Sequence, residues 1–160
     1  MTLSNEPVFN WMPCPVVFIT SAHGSQRDIM TATAMFVSEK EPLLQVSVAQ
    51  NHLTEKLILA SGRFTLVIAG HRQQELAIQV GSVKGSDTDK FNKFNMPFSA
   101  AAPKESLIPE GASAWMVCQV ESSQLIKGYR LFIGRVVDQG AFETPPLVWR
   151  NNSFFTLNPA

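Results

Sequence analysis

The sequence predicts a mainly β protein in which short helices interrupt a curved sheet that closes into a barrel. Several short segments combine β-branched or aromatic residues with polar residues in near alternation, which is the pattern of half-buried strands. Helical spacing follows the third and the fourth of these segments, and the strands are unevenly spaced along the chain. This arrangement favours a barrel over a sandwich or a βαβ sheet.

Length and composition fit one domain over residues 1–160, with residues 1–12 as an N-terminal lead-in. The 13 basic and 13 acidic side chains cancel, so we expect no binding to nucleic acid or to an anionic membrane. No apolar run approaches the roughly 20 residues of a membrane-spanning helix. Cys14 and Cys118 lie far apart and outside any CxxC pair, which indicates buried thiols in a reducing cytoplasm.

The first half of the chain contains the strand and helix signals that are easiest to interpret. Residues 15–20, 29–38, 43–49 and 63–69 are predicted strands, because each is rich in β-branched residues and is bounded by turn or breaker residues. A helix over residues 53–60 is predicted from its apolar spacing, with Asn51 as its N-cap and Gly62 at its end.

Two further short helices are predicted before the chain returns to strands. One covers residues 73–80 and stops at Gly81. The other is opened by a capping box from Ser86 to Asp89 and turns Phe91 inward. Residues 114–120, 130–137, 147–149 and 154–157 then complete a prediction of roughly seven or eight strands.

Most signatures of enzyme sites are missing from this sequence. It has no GxGxxG after a strand, no P-loop, no HExxH and no GxSxG. His23, His52 and His71 sit in separate predicted turns without ligand spacing, so we predict no metal site. No side chain is singled out as catalytic.

The junction from Ser47 to Thr54 is the clearest candidate site, because a strand there runs into a helix start. The unpaired N–H groups of such a start can receive a phosphate, and Lys90 would complement it if the two regions converge. The alternative is that Asn51 and Thr54 only cap the helix and that Lys90 is a solvated surface lysine.

Thr31 and Thr33 lie among small residues within the predicted strand 29–38. Small side chains allow a planar ring to approach the strand backbone, so this segment is a second candidate. The alternative is the ordinary β-propensity of threonine, and spacing does not separate the two interpretations.

Five segments, in this order, resemble the flavin reductase family of FMN-binding split barrels, and within it the flavoredoxin-like branch. They are VVFITSAHG with DIMTATAMFVS, EPLLQVSVAQNHLT with LILASGRFTLVI, GSVKGSDTDKF, LFIGRVV and PPLVWRNNSFFTL, which together span about residues 13–157. Single motifs of this length recur by chance, whereas five in register do not.

The resemblance implies an FMN-binding split β-barrel, a homodimer, and an oxidoreductase that reduces flavin with NADH or NADPH. A homodimer also suits the aromatic residues Trp11, Trp149 and Phe155 near the chain ends. Two alternatives remain open: a non-enzymatic FMN electron carrier that serves a redox partner protein, and an interaction module that has lost its ligand.

The resemblance also implies which residues contact the cofactor. The predicted set is Asp28, Met30, Thr31, Ala32, Thr33, Ser47, Val48, Ala49, Asn51, His52, Thr54, Lys90, Phe91, Tyr129 and Phe155. Three positions depart from the family pattern: Asp28 replaces an asparagine, Ala34 an aromatic residue, and Tyr129 a histidine. A carboxylate accepts hydrogen bonds but cannot donate them, so Asp28 is expected to disfavour an anionic reduced flavin nearby.

Overall fold

The computed structural model describes residues 3–159, and most of their regular structure is β-strand. The strands in chain order are β1 (Cys14–Pro15), β2 (Val17–His23), β3 (Gln26–Ala32), β4 (Ala34–Ser38), β5 (Leu43–Ala49), β6 (Arg63–Ile68), β7 (Ala114–Ile126), β8 (Tyr129–Ala141), β9 (Leu147–Arg150) and β10 (Ser153–Thr156). The α-helices are α1 (Leu53–Ser61), α2 (Gln74–Gly81) and α3 (Lys90–Lys93). None of these helices is long and apolar enough to cross a membrane.

The larger sheet has seven strands in the order β3-β2-β6-β7-β8-β5-β4, and all neighbouring strands are antiparallel. Its two edges, β3 and β4, are consecutive in the chain and are separated only by Thr33. A single residue can join opposite edges only if the sheet curls round on itself. The predicted barrel is thus confirmed, and its split lies between β3 and the end of β5 that β4 leaves unpaired. A smaller sheet has the order β1-β9-β10.

Residues 29–38 do not form the one strand that the sequence predicts. They belong to β3 and β4, because the backbone leaves one edge of the sheet at Ala32 and joins the other edge at Ala34. Threonine and alanine carry no turn signal, so the strand pattern of the sequence continues without a break through Thr33, where the chain passes from one edge to the other. The hairpin of β7 and β8 is longer than predicted, since its exposed polar end lacks the apolar alternation on which the prediction rests.

The helix boundaries confirm some of the predicted caps and correct others. Gly62 ends α1 in the left-handed region with φ 68°, as predicted. His52, not Asn51, is the N-cap of α1, and Asn51 adopts φ 69° one residue earlier. The predicted capping box at Ser86 is wrong: Asp89 is the N-cap of α3, and its carboxylate accepts hydrogen bonds from the N–H groups of Phe91 and Asn92.

Two apolar clusters lie on the two faces of the curled sheet. Alternation along β2 places Ile19 inside the barrel and Phe18 on the outer face, where α2 and α3 pack. Cys118 lies in the inner cluster, and burial raises the pKa of its thiol to about 12. This thiol stays protonated at neutral pH, which agrees with a structural role for Cys118, and Cys14 is also unpaired.

Candidate functional site at the barrel split

The barrel split brings together the two candidate regions of the sequence. Helix α1 packs against β3 and against the end of β5, and α3 packs against β3 from the other side. The strand that carries Thr31 and the junction that leads to Thr54 therefore lie side by side at the barrel split, and their outer surfaces form the candidate cleft. Tyr129 of β8 lies close to the same place, because the strand register pairs it with Ala49 at the end of β5.

Asp28 of β3 is the point on which several of these elements converge. The hydroxyl of Thr54 donates to its Oδ2 at 2.6 Å, and Lys90 Nζ lies 3.2 Å from its Oδ1. Lys90 also donates to the carbonyl oxygen of Ile29 at 2.6 Å. Asp28, Lys90 and Thr54 are only 3%, 5% and 1% exposed. The ion pair is close but not aligned as a hydrogen bond, so Oδ1 accepts none.

This arrangement changes the interpretation of Lys90, Thr54 and Asp28. Lys90 is not the solvated surface lysine that the alternative interpretation supposed, and it reaches the same place as Thr54, as the phosphate hypothesis required. Both polar groups, however, already bind a carboxylate of the protein. A phosphate contact through Thr54 or Lys90 would have to replace Asp28, and these contacts remain predictions.

The loop before α3 approaches the same carboxylate through Gly85. A Cβ atom added at Gly85 would lie 2.3 Å from Asp28 Oδ1, so a larger residue forces the loop or the aspartate to move. Sequence analysis missed this residue, because a glycine within a polar loop looks like ordinary turn chemistry.

A second buried carboxylate, Glu55, fixes the turn that enters α1. Its Oε2 accepts the N–H of Asn51 at 2.6 Å, and its Oε1 accepts from Nε of Arg130 at 2.7 Å. These bonds hold Asn51 in its left-handed conformation and link the turn to β8. Sequence analysis missed this pair also, although a glutamate in the first turn of a helix was a usable signal.

The remaining predicted residues differ in what they can offer a ligand. Thr33, Ser47, Asn51, His52 and Tyr129 are exposed, whereas Met30, Thr31, Ala32 and Ala49 are half-buried. Val48 and Phe91 are buried in the two apolar clusters, so only their backbone can take part. Phe155 lies on β10 of the smaller sheet, where its ring packs against the guanidinium of Arg150.

Thr31 would meet a ligand through its backbone. Its hydroxyl donates to the carbonyl oxygen of Ala77 in α2 at 2.7 Å and is therefore already engaged. The carbonyl of Ile29 points outward from the sheet toward Lys90, and the two-residue period of a strand directs the backbone of Thr31 to the same edge. In the described chain β3 pairs only with β2, so this outer edge has no strand partner.

Comparison with known proteins decides the family of this chain. The model of the family described as "Flavin reductase like domain" matches residues 9–158. The chain belongs to the flavin reductase family. A curated relative, "Uncharacterized protein YddH" of Escherichia coli (strain K12), is 33% identical over 133 residues, which cover 79% of this chain and 70% of the relative.

Solved structures of flavin reductases share the fold of this family member. The Streptomyces globisporus C-1027 NADH:FAD oxidoreductase SgcE6 matches with a TM-score of 0.82 and 21% identity, over 95% of this chain and 90% of that chain. Flavoredoxin from Methanosarcina acetivorans matches with a TM-score of 0.80 and 18% identity, over 100% of this chain and 92% of that chain. The predicted split barrel of the flavin reductase family is thereby confirmed.

The cleft of this flavin reductase-like chain fits a flavin by the chemistry of its groups. The unpaired edge of β3 offers peptide donors and acceptors, which match the alternating carbonyl and N–H groups of an isoalloxazine ring. The start of α1 offers free N–H groups beside exposed Ser47 and His52, which suit a polar tail. No group of three potential ligand side chains within residues 3–159 is arranged to hold a metal.

A large apolar cavity lies at one end of the barrel of this flavin reductase-like chain. Its volume is about 880 Å³, and barrel residues such as Leu66 and Met116 line one side of it. Ala34, Met35 and Phe36 of the edge strand β4 line the other side. Ala34 therefore lies at the edge of this cavity, on a strand whose next three side chains are apolar and exposed.

Proposed function

We propose that this chain is a flavin oxidoreductase that binds FMN at the barrel split and reduces it with NADH or NADPH. The proposal rests on one observation above all. The unpaired edge of β3 and the start of α1 border the same cleft in a chain of the flavin reductase family. A neighbour of the same fold is named an NADH:FAD oxidoreductase, so FAD is the first competing flavin to test.

In the proposed mechanism the protein binds and orients, and no side chain acts as a general acid or base. A bound flavin supplies the hydride chemistry between nicotinamide and acceptor. The backbone of β3 near Thr31 holds the ring edge, and Ser47, Asn51 and His52 face its polar tail. Tyr129, exposed on the opposite strand, lies where a nicotinamide can approach the open side of the cleft.

The purified protein is expected to shift the visible absorption bands of added FMN, and NADH or NADPH is expected to bleach those bands anaerobically. Titrations with FAD and riboflavin then rank the flavins. Absence of any flavin binding would contradict the proposal. If dithionite reduces the bound flavin and neither nicotinamide does, the protein is an electron carrier that depends on a partner protein.

Two exposed histidines provide a matched pair of variants for this experiment. His52→Ala is expected to raise the dissociation constant for FMN roughly 2- to 10-fold, the value of one lost hydrogen bond. His23→Ala at the end of β2 removes another exposed imidazole, away from the start of α1, and leaves FMN affinity unchanged. Equal effects of the two substitutions on FMN affinity would mean that FMN does not bind at the start of α1.

We also propose a homodimer in which the edge strand β4 is covered by a second copy of the chain. Met35, Phe36 and Val37 are all more than half exposed, and they adjoin the apolar cavity. An uncovered apolar edge strand invites association with another chain. Trp11 and Phe155 form a second exposed group, in which the Arg150 guanidinium lies 5.4 Å from each ring.

Light scattering at micromolar concentration is expected to give twice the mass of one chain. Phe36→Asp is expected to produce monomers, because it places a charge in the covered apolar surface. The control Ile78→Asp changes an apolar residue of α2 that is 54% exposed and belongs to neither exposed group, and it leaves the mass unchanged. A wild-type protein of single-chain mass would refute the dimer.

A further inference from the structure

We propose that Asp28 is a positioning residue of the flavin site, which sets the start of α1 and the loop before α3 relative to the ring-binding strand β3. The proposal rests on the function proposed above. The carboxylate is too deeply buried to serve as an open ligand, yet three separate segments of the chain meet at it.

The first of these connections fixes the start of α1. Thr54 is the second residue of that helix, and its hydroxyl donates to Asp28 Oδ2 at 2.6 Å. Asp28 lies on the same strand as Thr31, whose backbone edge faces the cleft. The bond therefore sets the distance between the surface that receives the flavin ring and the helix start that receives its tail.

The second connection holds the backbone of β3 from the opposite side. Lys90 pairs with the Asp28 carboxylate and also donates to the carbonyl oxygen of Ile29, the next residue along the strand. One ammonium group thus restrains both the side chain and the main chain of β3. Because the pair is buried, its charges balance locally and attract little solvent into the wall of the cleft.

The third connection is steric and involves the loop before α3. The backbone of Gly85 packs so closely on the carboxylate that a methyl group there would meet all three atoms of the Asp28 carboxyl group within 2.5 Å. The loop can occupy its place only because residue 85 has no side chain. Asp28 therefore also sets how close this loop lies to β3 and α1.

Thr54→Val tests the first connection while it leaves the ion pair intact. It is expected to weaken FMN binding roughly tenfold, because the helix start that receives the tail loses its hydrogen bond to the ring-binding strand. Lumiflavin lacks the ribityl chain and the phosphate. Its affinity is expected to fall less than about threefold in this variant, because only the tail of FMN meets α1. The ratio of the two affinities separates positioning from a general loss of stability.

Thr20→Val is the matched control, because Thr20 is as deeply buried and its hydroxyl also makes a long-range bond, to the carbonyl oxygen of Ser106 at 2.9 Å. Both variants are expected to lower the urea midpoint similarly, but Thr20→Val leaves FMN affinity within about twofold of the wild type, because the Thr20 hydroxyl bonds to the Ser106 segment and not to Asp28. Equal FMN affinity in Thr54→Val and Thr20→Val would overturn the positioning role.

Gly85→Ala reaches the same carboxylate from the loop and does not alter Thr54. It is also expected to weaken FMN binding roughly tenfold or more, with the protein folded by circular dichroism. Unchanged FMN affinity in a folded Gly85→Ala protein would overturn the proposal even if Thr54→Val agreed with it. If the wild-type protein binds no flavin, both the proposed function and this inference are wrong. If the wild type binds FMN and the variants bind it equally well, only the inference is wrong.

Discussion

Lys90→Met is expected to lower the free energy of unfolding by about 3–5 kcal/mol, the usual cost of removing one member of a buried ion pair. The substitution keeps the length of the side chain but leaves the almost fully buried Asp28 carboxyl group without its cation, with the Thr54 hydroxyl as its hydrogen-bond donor. It also removes the donor to the Ile29 carbonyl. Urea unfolding followed by tryptophan fluorescence measures the loss.

The double variant Asp28→Asn with Lys90→Met shows whether the unpaired charge is the cause. It is expected to recover about half or more of the loss, since no charge remains buried and the new amide oxygen can still accept the hydrogen bond from Thr54. Glu121→Gln is the control, because it removes the charge from a solvent-exposed pair with Arg135 and is expected to leave the urea midpoint nearly unchanged. Equal losses in all three variants would contradict the role of the buried pair.

The same pair alters what the aspartate means for flavin chemistry. From the sequence, a carboxylate at this position is expected to oppose negative charge on a reduced flavin. In the structure a cation lies 3.2 Å from Asp28 Oδ1, so the field that leaves the site is close to that of a dipole. Lys90 therefore offsets the charge of Asp28 within the chain.

Much of the fold could be predicted because the strands alternate cleanly where one face is buried. The predicted strand 43–49 coincides with β5, and the predicted strand 63–69 extends one residue beyond β6. The barrel also followed from the uneven strand spacing. The crossing at Thr33 could not be predicted, because sheet order depends on which strands meet across the barrel and not on local residue type.

The candidate site could be predicted only in outline. The sequence singled out Thr54 and Lys90, and the structure does bring them together. The sequence did not show that Asp28 joins Thr54 and Lys90, because these contacts connect distant segments of the chain and leave no local periodicity. Gly85 became meaningful only when the aspartate was known to lie against it. Buried pairs of this kind have to be found from coordinates.

Phe132→Ala is expected to cost about 3–5 kcal/mol, the usual range for the truncation of a buried phenylalanine. Phe132 of β8 is 0% exposed and belongs to the inner cluster with Phe64 and Cys118, so the lost ring leaves a cavity in the centre of the barrel. Native domains are stable by only about 5–15 kcal/mol, so this single change removes a large share. Phe9→Ala in the exposed 3-10 helix Val8–Trp11 is expected to change stability by less than about 0.5 kcal/mol. A thermal midpoint for Phe132→Ala that matched the control would mean that the inner cluster does not hold the barrel closed.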